Sequence, residues 1–244
     1  MGTSIMITSG KGGTGKTSLT AGVSACLAAL GQRVLCVDLD IGLRNLDLSL
    51  GLSDRALMDF RDVMECHATL STAAVEHPDI QGLYLLTAPL SLEHLNQADF
   101  RRLIAEAKDC FDFVLMDSPA GLGEGFQLAM AAADRVIVVS ATEPAALRDA
   151  QRAISQLIGR IPELHLVVNR VQPKLMDKLR TSIDNAMDMA GLPLLGVVPE
   201  DQTVTMAAAA GVPLVLMSHR GAAPAYLNIA RRLLGQRVPL LRIR

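Results

Sequence analysis

The octapeptide Gly10-Lys11-Gly12-Gly13-Thr14-Gly15-Lys16-Thr17 narrows the folds open to this chain more than any other stretch. It fits the phosphate-cradling pattern G-x-x-x-x-G-K-[ST], which works only as a loop between a strand and a helix. The flanks agree: apolar Ile5-Met6-Ile7 precedes it, and a helical pattern begins near Thr17. Glycines let the backbone turn its N–H groups inward toward phosphate oxygens, and the following helix adds its positive N-terminal end. In such a loop Lys16 reaches the β- and γ-phosphates, and the Thr17 hydroxyl ligates Mg²⁺.

Alternating strands and helices extend from that loop. Thr17–Leu30 reads as a helix stopped by Gly31, and Val34–Val37 as a strand apolar on both faces, the mark of a covered parallel sheet. Helical stretches follow near Arg55–Cys66 and His67–Glu76, then an apolar run at Leu83–Leu86, a helix over Asn96–Cys110 and a strand at Phe113–Asp117. Arg135–Ser140 is a strand, Pro144–Gly159 a helix, Leu164–Val168 a strand and Met176–Ala190 a helix ending at Gly191. Leu194–Val198, a short Ala-rich helix to Gly211 and a helix over Ala222–Leu234 complete the pattern. It predicts a three-layer α/β fold, a mostly parallel twisted sheet of about seven or eight strands with helices on both faces. No linker or low-complexity block divides residues 1–244, so a single domain is expected, with 236–244 as a short basic tail.

Charge and cysteines restrict the function. A net charge of −2 argues against coating nucleic acid by charge alone. From Gln202 onward there is no Asp or Glu, but there are six arginines, Arg220, Arg231, Arg232, Arg237, Arg242 and Arg244. These suit either an anionic surface or a solvated helix face. Cys26, Cys36, Cys66 and Cys110 lack metal or redox spacing and read as small core residues of a reduced, cytosolic protein. Neither a signal peptide nor an 18-residue apolar span is present, and Met6 spoils a myristoylation reading of Met1-Gly2. The five histidines stand at no ligand spacing.

Three further sites end on strands. Asp38 and Asp40 close the second strand beside the loop, where ligands of open α/β sheets bind. Asp40 is placed to hold a metal-bound water or orient an attacking one, or to cap the next turn. Asp117 ends the strand Phe113–Asp117 as a carboxylate that supports Mg²⁺ through water, and Ser118-Pro119-Ala120-Gly121 suits a loop that moves its N–H groups toward or away from a γ-phosphate, or forms a plain turn. Asn169, ahead of Arg170, carries the donor and acceptor that an adenine edge requires, or caps a turn.

Lys11 inside the phosphate loop resembles the deviant Walker A signature of the MinD/ParA family of P-loop NTPases. Asp38-Leu39-Asp40-Ile41-Gly42-Leu43-Arg44-Asn45-Leu46-Asp47 and Asp117-Ser118-Pro119-Ala120-Gly121 resemble the switches of its septum-site branch. Similarity also runs through Leu147–Ala150, Leu166–Arg170, Leu194–Val198 and Asn228–Gly235. The resemblance implies an ATPase that dimerises face to face on ATP and Mg²⁺, with Lys11 reaching the other subunit's phosphates. It assigns Lys11, Lys16 and Asp40 to catalysis, and Thr17, Asp40 and Asp117 to the metal. Nucleotide contacts fall to Gly12, Gly13, Thr14, Gly15, Lys16, Thr17, Ser18, Asn169, Arg170, Pro199, Glu200 and Asp201. Asp117, Pro119, Ala120 and Gly121 form the switch, and Asn45 and Asp149 face the partners MinC and MinE. The ATP-bound dimer of that branch holds the division inhibitor MinC at the membrane until MinE stimulates hydrolysis, which is slow unaided. A flagellar-number or partitioning ATPase is the alternative, the latter disfavoured by Ile41–Asn45. An iron–sulfur electron-transfer relative would need a cysteine where Ser118 stands. Septum-site relatives usually continue into an amphipathic membrane helix, whereas five residues follow Pro239 here, too few to bury a useful apolar face. The resemblance leaves open a shortened chain, weak binding to the inner face of the membrane from the cytoplasm, or a tether by a partner.

Overall fold

The computed structural model describes residues 1–41, 44–90, 95–241 and 243. In chain order the elements are β1 (Thr3–Thr8), α1 (Lys16–Ala29), β2 (Val34–Asp38), α2 (Asn45–Leu50), α3 (Phe60–Met64), α4 (Leu70–Ala73), β3 (Val75–Glu76) and β4 (Leu83–Leu86). Then come α5 (Gln97–Cys110), β5 (Phe113–Asp117), α6 (Glu124–Ala132), β6 (Arg135–Ser140), α7 (Pro144–Leu157) and β7 (Glu163–Val171). The chain closes with α8 (Pro173–Leu179), α9 (Ile183–Ala190), β8 (Leu194–Pro199), α10 (Gln202–Ala210), α11 (Leu214–Met217) and α12 (Ala223–Leu233).

Among the described residues the strands form one eight-stranded sheet in the order β3-β4-β2-β5-β1-β6-β7-β8. Every pairing is parallel except β3 with β4. The expected mostly parallel sheet is therefore found. Successive residues of a strand face opposite ways, so Met6 of β1 enters one core with Phe100 of α5 and Phe126 of α6. Ile5 and Ile7 enter the other with Leu19 of α1 and Tyr226 of α12. Both faces of the central strands are thus covered, which is why their sequences read as unbroken apolar runs. Gly22 lets α12 close on α1: a Cβ there would fall on the Tyr226 ring.

The structure corrects several expectations. His67–Glu76 is not one helix. α4 is a four-residue turn capped by the Thr69 hydroxyl, and Val75-Glu76 pairs antiparallel with β4 at the sheet edge. Pro78 holds the backbone before it extended, and Val75 is β-branched, so both favour strand. The helix expected over Arg55–Cys66 shortens to α3, whose start is fixed by a capping box between Asp59 and Asp62. Met176–Ala190 divides into α8 and α9, because Arg180 adopts a left-handed φ of 51° and the Ser182 hydroxyl caps a new helix. The reading also passed over α2, α6 and α11. Cys26 and Cys36 are buried as expected, and burial pushes both thiols to about 12. Cys66 and Cys110 are exposed instead, since each follows the last turn of a helix or ends it at the surface.

The basic C-terminal stretch is part structural. Arg232 donates from Nη1 to the Leu195 carbonyl at 2.7 Å and from Nη2 to the Val238 carbonyl at 2.9 Å, tying the tail to the start of β8. Arg242 and Arg244 lie outside the described residues.

Candidate functional site

β1 lies between β5 and β6 and runs straight into the glycine loop, so the loop opens at the carboxyl edge where the chain's connections diverge to either side. That is where open α/β sheets bind ligands. Gly13 and Gly15 take φ of +78° and +86°, a region that other L-residues avoid. A Cβ built on Gly12 or Gly13 meets no atom within 4 Å, so the loop's inner side is an open cradle. The Thr14 hydroxyl is buried without a hydrogen-bond partner. An open cradle with one orphaned hydroxyl, at the N-terminus of a 14-residue helix, fits a phosphate chain.

The two loop lysines separate. Lys16 is buried at 8% exposure, and burial lowers its pKa against the opposing pull of Asp117 and Asp40. Lys11 is exposed, its carbonyl accepting from the Ser9 hydroxyl at 2.7 Å. A pocket of about 300 Å³ lies beside it, lined by Gly12, Gly13, Glu143 and Arg170.

Thr17 and Asp117 are in contact: the Thr17 hydroxyl donates to Asp117 Oδ2 at 2.7 Å. The Thr20 hydroxyl lies 3.0 Å from Asp117 Oδ1 and 2.9 Å from the Lys16 carbonyl. Asp117 is paired in register with Asp38 across β5 and β2. Burial raises Asp38 to about 7 and Asp117 to about 6, the latter held down by Thr17, Lys16 and Thr20. Asp38 accepts from the Asp40 amide at 2.8 Å and the Leu46 amide at 3.2 Å, so one carboxylate fixes both Asp40 and the start of α2. Nothing in the sequence reading had given Asp38 that task, although its place two residues before Asp40 was a signal.

Asn169 and Arg170 lie on the other side of the loop. The Asn169 amide donates to the Thr14 carbonyl at 2.7 Å, and Arg170 Nη1 to the Gly13 carbonyl at 2.9 Å. A bulge between Val168 and Val171 puts Arg170 at φ 58°, turning it toward the loop and into an ion pair with Glu200 at 2.7 Å. Ser18, Asn169, Arg170, Pro199, Glu200 and Asp201 line one pocket of about 230 Å³ beside Gly15, a space suited to a base. Within it Asp201 accepts from the Thr203 and Ala222 amides, both at 2.9 Å, which places it as a cap holding two segments together.

The proposed switch and partner residues lie around this centre. Pro119 packs against Gly125 of α6, where a Cβ would come within 2.7 Å of the proline ring, while Ala120 is exposed and Gly121 takes φ +89°. Asn45 is exposed at the start of α2, and Gly42-Leu43 of the same motif lie outside the described residues. Asp149 pairs with Arg152 at 3.4 Å, and its main chain abuts Gly10. Gly10 and Gly125 matter for these close approaches, which are visible only in three dimensions.

A glycine loop on β1, a lysine beneath it and a threonine–aspartate pair at the adjoining strand end define a nucleotide-binding domain of the P-loop class. The model of the CobQ/CobB/MinD/ParA nucleotide binding domain matches residues 5–214, and the chain belongs to that family, in its MinD branch. The chain is 41% identical over 246 residues to the septum site-determining protein MinD of Bacillus subtilis, covering 98% of this chain and 92% of that one. It superposes on a chain of the MinC:MinD cell division protein complex of Aquifex aeolicus with TM-score 0.92 at 36% identity, covering 98% of each. Against MinD of Pyrococcus horikoshii complexed with Mg-ADP the TM-score is 0.82 at 30% identity, covering 96% of each.

Proposed function

We infer that this chain is an ATP-dependent ATPase switch of division-site placement, dimeric when loaded with ATP and Mg²⁺. The observation that carries the reading is the separation of the two loop lysines, one buried under the cradle and one exposed beside it, in a chain so similar to septum site-determining proteins. Lys16, buried beneath the cradle, neutralises its own subunit's phosphates, whereas Lys11, exposed beside it, serves a facing subunit. Thr17 and Asp117 would hold Mg²⁺, which supplies charge neutralisation when bound. Asp40, fixed by Asp38, orients water at the carboxyl edge of β2. Asn169, Arg170 and the Pro199–Asp201 turn enclose the base.

The ATP-bound dimer would recruit MinC through the region of Asn45 and Asp149 and be released by MinE-stimulated hydrolysis, reversibly occupying the inner face of the membrane. Light scattering with ATP and Mg²⁺ tests the core of this. The parent should shift from monomer to dimer while Lys11→Ala and Lys16→Ala remain monomeric. Dimerisation of either variant at the parent's ATP concentration defeats the switch, and higher affinity for a flagellar partner than for MinC would favour the flagellar-number reading.

A further inference from the structure

α2 has six residues, too few for a helix to hold its own shape in water, so contacts at its ends set where it lies. Its start is held by Asp38, whose carboxylate takes the Leu46 amide at 3.2 Å together with the Asp40 amide at 2.8 Å. Its end closes at buried Leu50, where the last carbonyls of a helix have no donor within it. Gly51 caps that end at φ 66° and brings no side chain; a Cβ there would fall on the Gly211 carbonyl that follows α10. A side-chain donor for the Leu50 carbonyl therefore comes from another element.

That element is the turn between β3 and β4. His77 follows β3 directly, its amide donates to the Leu83 carbonyl at 2.8 Å, and the residue is buried at 5% exposure. Its Nδ1 accepts from the Asp79 amide at 3.1 Å. An amide donates only to a bare ring nitrogen, so the ring is neutral with its proton on Nε2, and its bond to the Leu50 carbonyl is a donation from that nitrogen. Both ring nitrogens are thus used, one by its own turn and one by α2. Protonation would set an N–H at Nδ1 against the Asp79 N–H. Burial, the largest influence, holds the ring below its ordinary 6.5. The Asp79 carboxylate and the Leu50 carbonyl favour the charged form, and the Arg55 guanidinium beyond α2 opposes it.

We propose that His77 is a positioning residue for hydrolysis: as a neutral imidazole it fixes the C-terminal end of α2, and through α2 the Asp38–Asp40 corner at the other end. Leu46 and Leu50 are four residues apart, about 6 Å along the helix, so the two anchors act on one rigid piece little longer than a turn. Freed at Leu50, that piece pivots at Leu46 and strains its bond to Asp38, loosening the Asp40 amide held by the same carboxylate. The anchor is complete while the ring is neutral and is lost as falling pH protonates it. This role rests on the reading of Asp40 as the residue that orients water.

Spectroscopy and kinetics on the full chain test this. Nitrogen–proton correlation spectra at pH 7.5, with His77→Gln identifying the signal, should show His77 as the Nε2–H tautomer with Nδ1 bare; an Nδ1–H tautomer or an imidazolium overturns the proposal. His77→Leu, which leaves the Leu50 carbonyl without its donor, should lower kcat for ATP hydrolysis about tenfold while KM for ATP stays within about twofold. His77→Gln, whose amide can donate to Leu50 and accept from Asp79, should restore kcat at pH 7.5. Asp38 and Asp117 titrate in both proteins, so the ratio of the His77→Gln rate to the parent rate isolates the ring, and it should rise as pH falls from 7.5 to 5.0. Parent-like kcat in His77→Leu, no restoration in His77→Gln, or a flat ratio each count against the role. Should His77→Leu fail to fold in a thermal melt, the tautomer and the ratio decide. Asp40→Ala tests the underlying reading: hydrolysis at the parent's rate removes Asp40 from catalysis, whereas an inactive Asp40→Ala beside a fully active His77→Leu removes only the role of His77.

Discussion

Alanine at Gly10, Gly12 and Gly13 separates three physical reasons for glycine in one loop. A Cβ on Gly10 would fall on the Asp149 carbonyl and stand 2.6 Å from the Ala150 amide nitrogen, all main-chain atoms of α7. Ordinary contact begins at 3.4 Å, so the loop and α7 must part by on the order of an ångström. Such overpacking costs about 1–3 kcal/mol. At about 2–4 °C per kcal/mol for a domain of this size, the melting temperature of Gly10→Ala falls by about 2–12 °C. A cradle displaced by about 1 Å should also lose about 100-fold in hydrolysis rate. Gly13 has open space but φ +78°, so its alanine variant bears only the left-handed penalty of about 1–2 kcal/mol. Gly12 has neither constraint in the free protein, and its alanine variant should stay within about 0.5 kcal/mol of the parent while binding nucleotide more weakly. Differential scanning fluorimetry with and without ATP and Mg²⁺ reads all three. A Gly10→Ala protein that melts with the parent, or a Gly12→Ala protein as unstable as Gly10→Ala, refutes the steric reasoning.

Other tests follow from the buried groups. Asp38 at about 7 and Asp117 at about 6 keep protons that the unfolded chain releases near its ordinary 3.8. Folding therefore binds protons across that window, so their contribution is full below about 4 and lost as pH rises to about 7, at up to about 1.4 kcal/mol per pH unit and proton. Urea denaturation between pH 5.5 and 7.5 should show a shallower fall for Asp38→Asn than for the parent; equal slopes would count against a protonated Asp38. Gly22→Ala should cost about 1–3 kcal/mol by driving Tyr226 off α1, and an unchanged denaturation midpoint would contradict that packing. Arg232→Ala removes two carbonyl bonds that strap the tail, so limited proteolysis should cut within 236–241 sooner, and identical digestion would mean the strap does not restrain it.

The order of strands and helices was legible because each buried strand is an unbroken apolar run and the longer helices carry their own stops, as Gly31 does after α1. Short elements were not. α4 is four residues long, and β3 exists because Val75 and Glu76 find Leu85 and Tyr84 at the sheet edge. A pairing between segments so short leaves no periodicity to read. The site divides in the same way. Lys16, Thr17 and Asp117 were visible as motif residues, but the double anchoring by Asp38 was not, since it links amides two and eight residues away.

The sequence by itself determined that this chain forms a nucleotide-binding α/β domain, because the glycine loop has one productive context and hydrophobic periodicity is a local property. Only the tertiary structure decided that α12 closes on α1 with the Tyr226 ring over Gly22. It also decided that Gly10 is held against Asp149, and that Asn169 and Arg170 grip the loop's carbonyls from a bulged strand. Those arrangements depend on close approaches between residues more than a hundred positions apart, and burial and hydrogen-bond geometry at such range have no trace in local sequence.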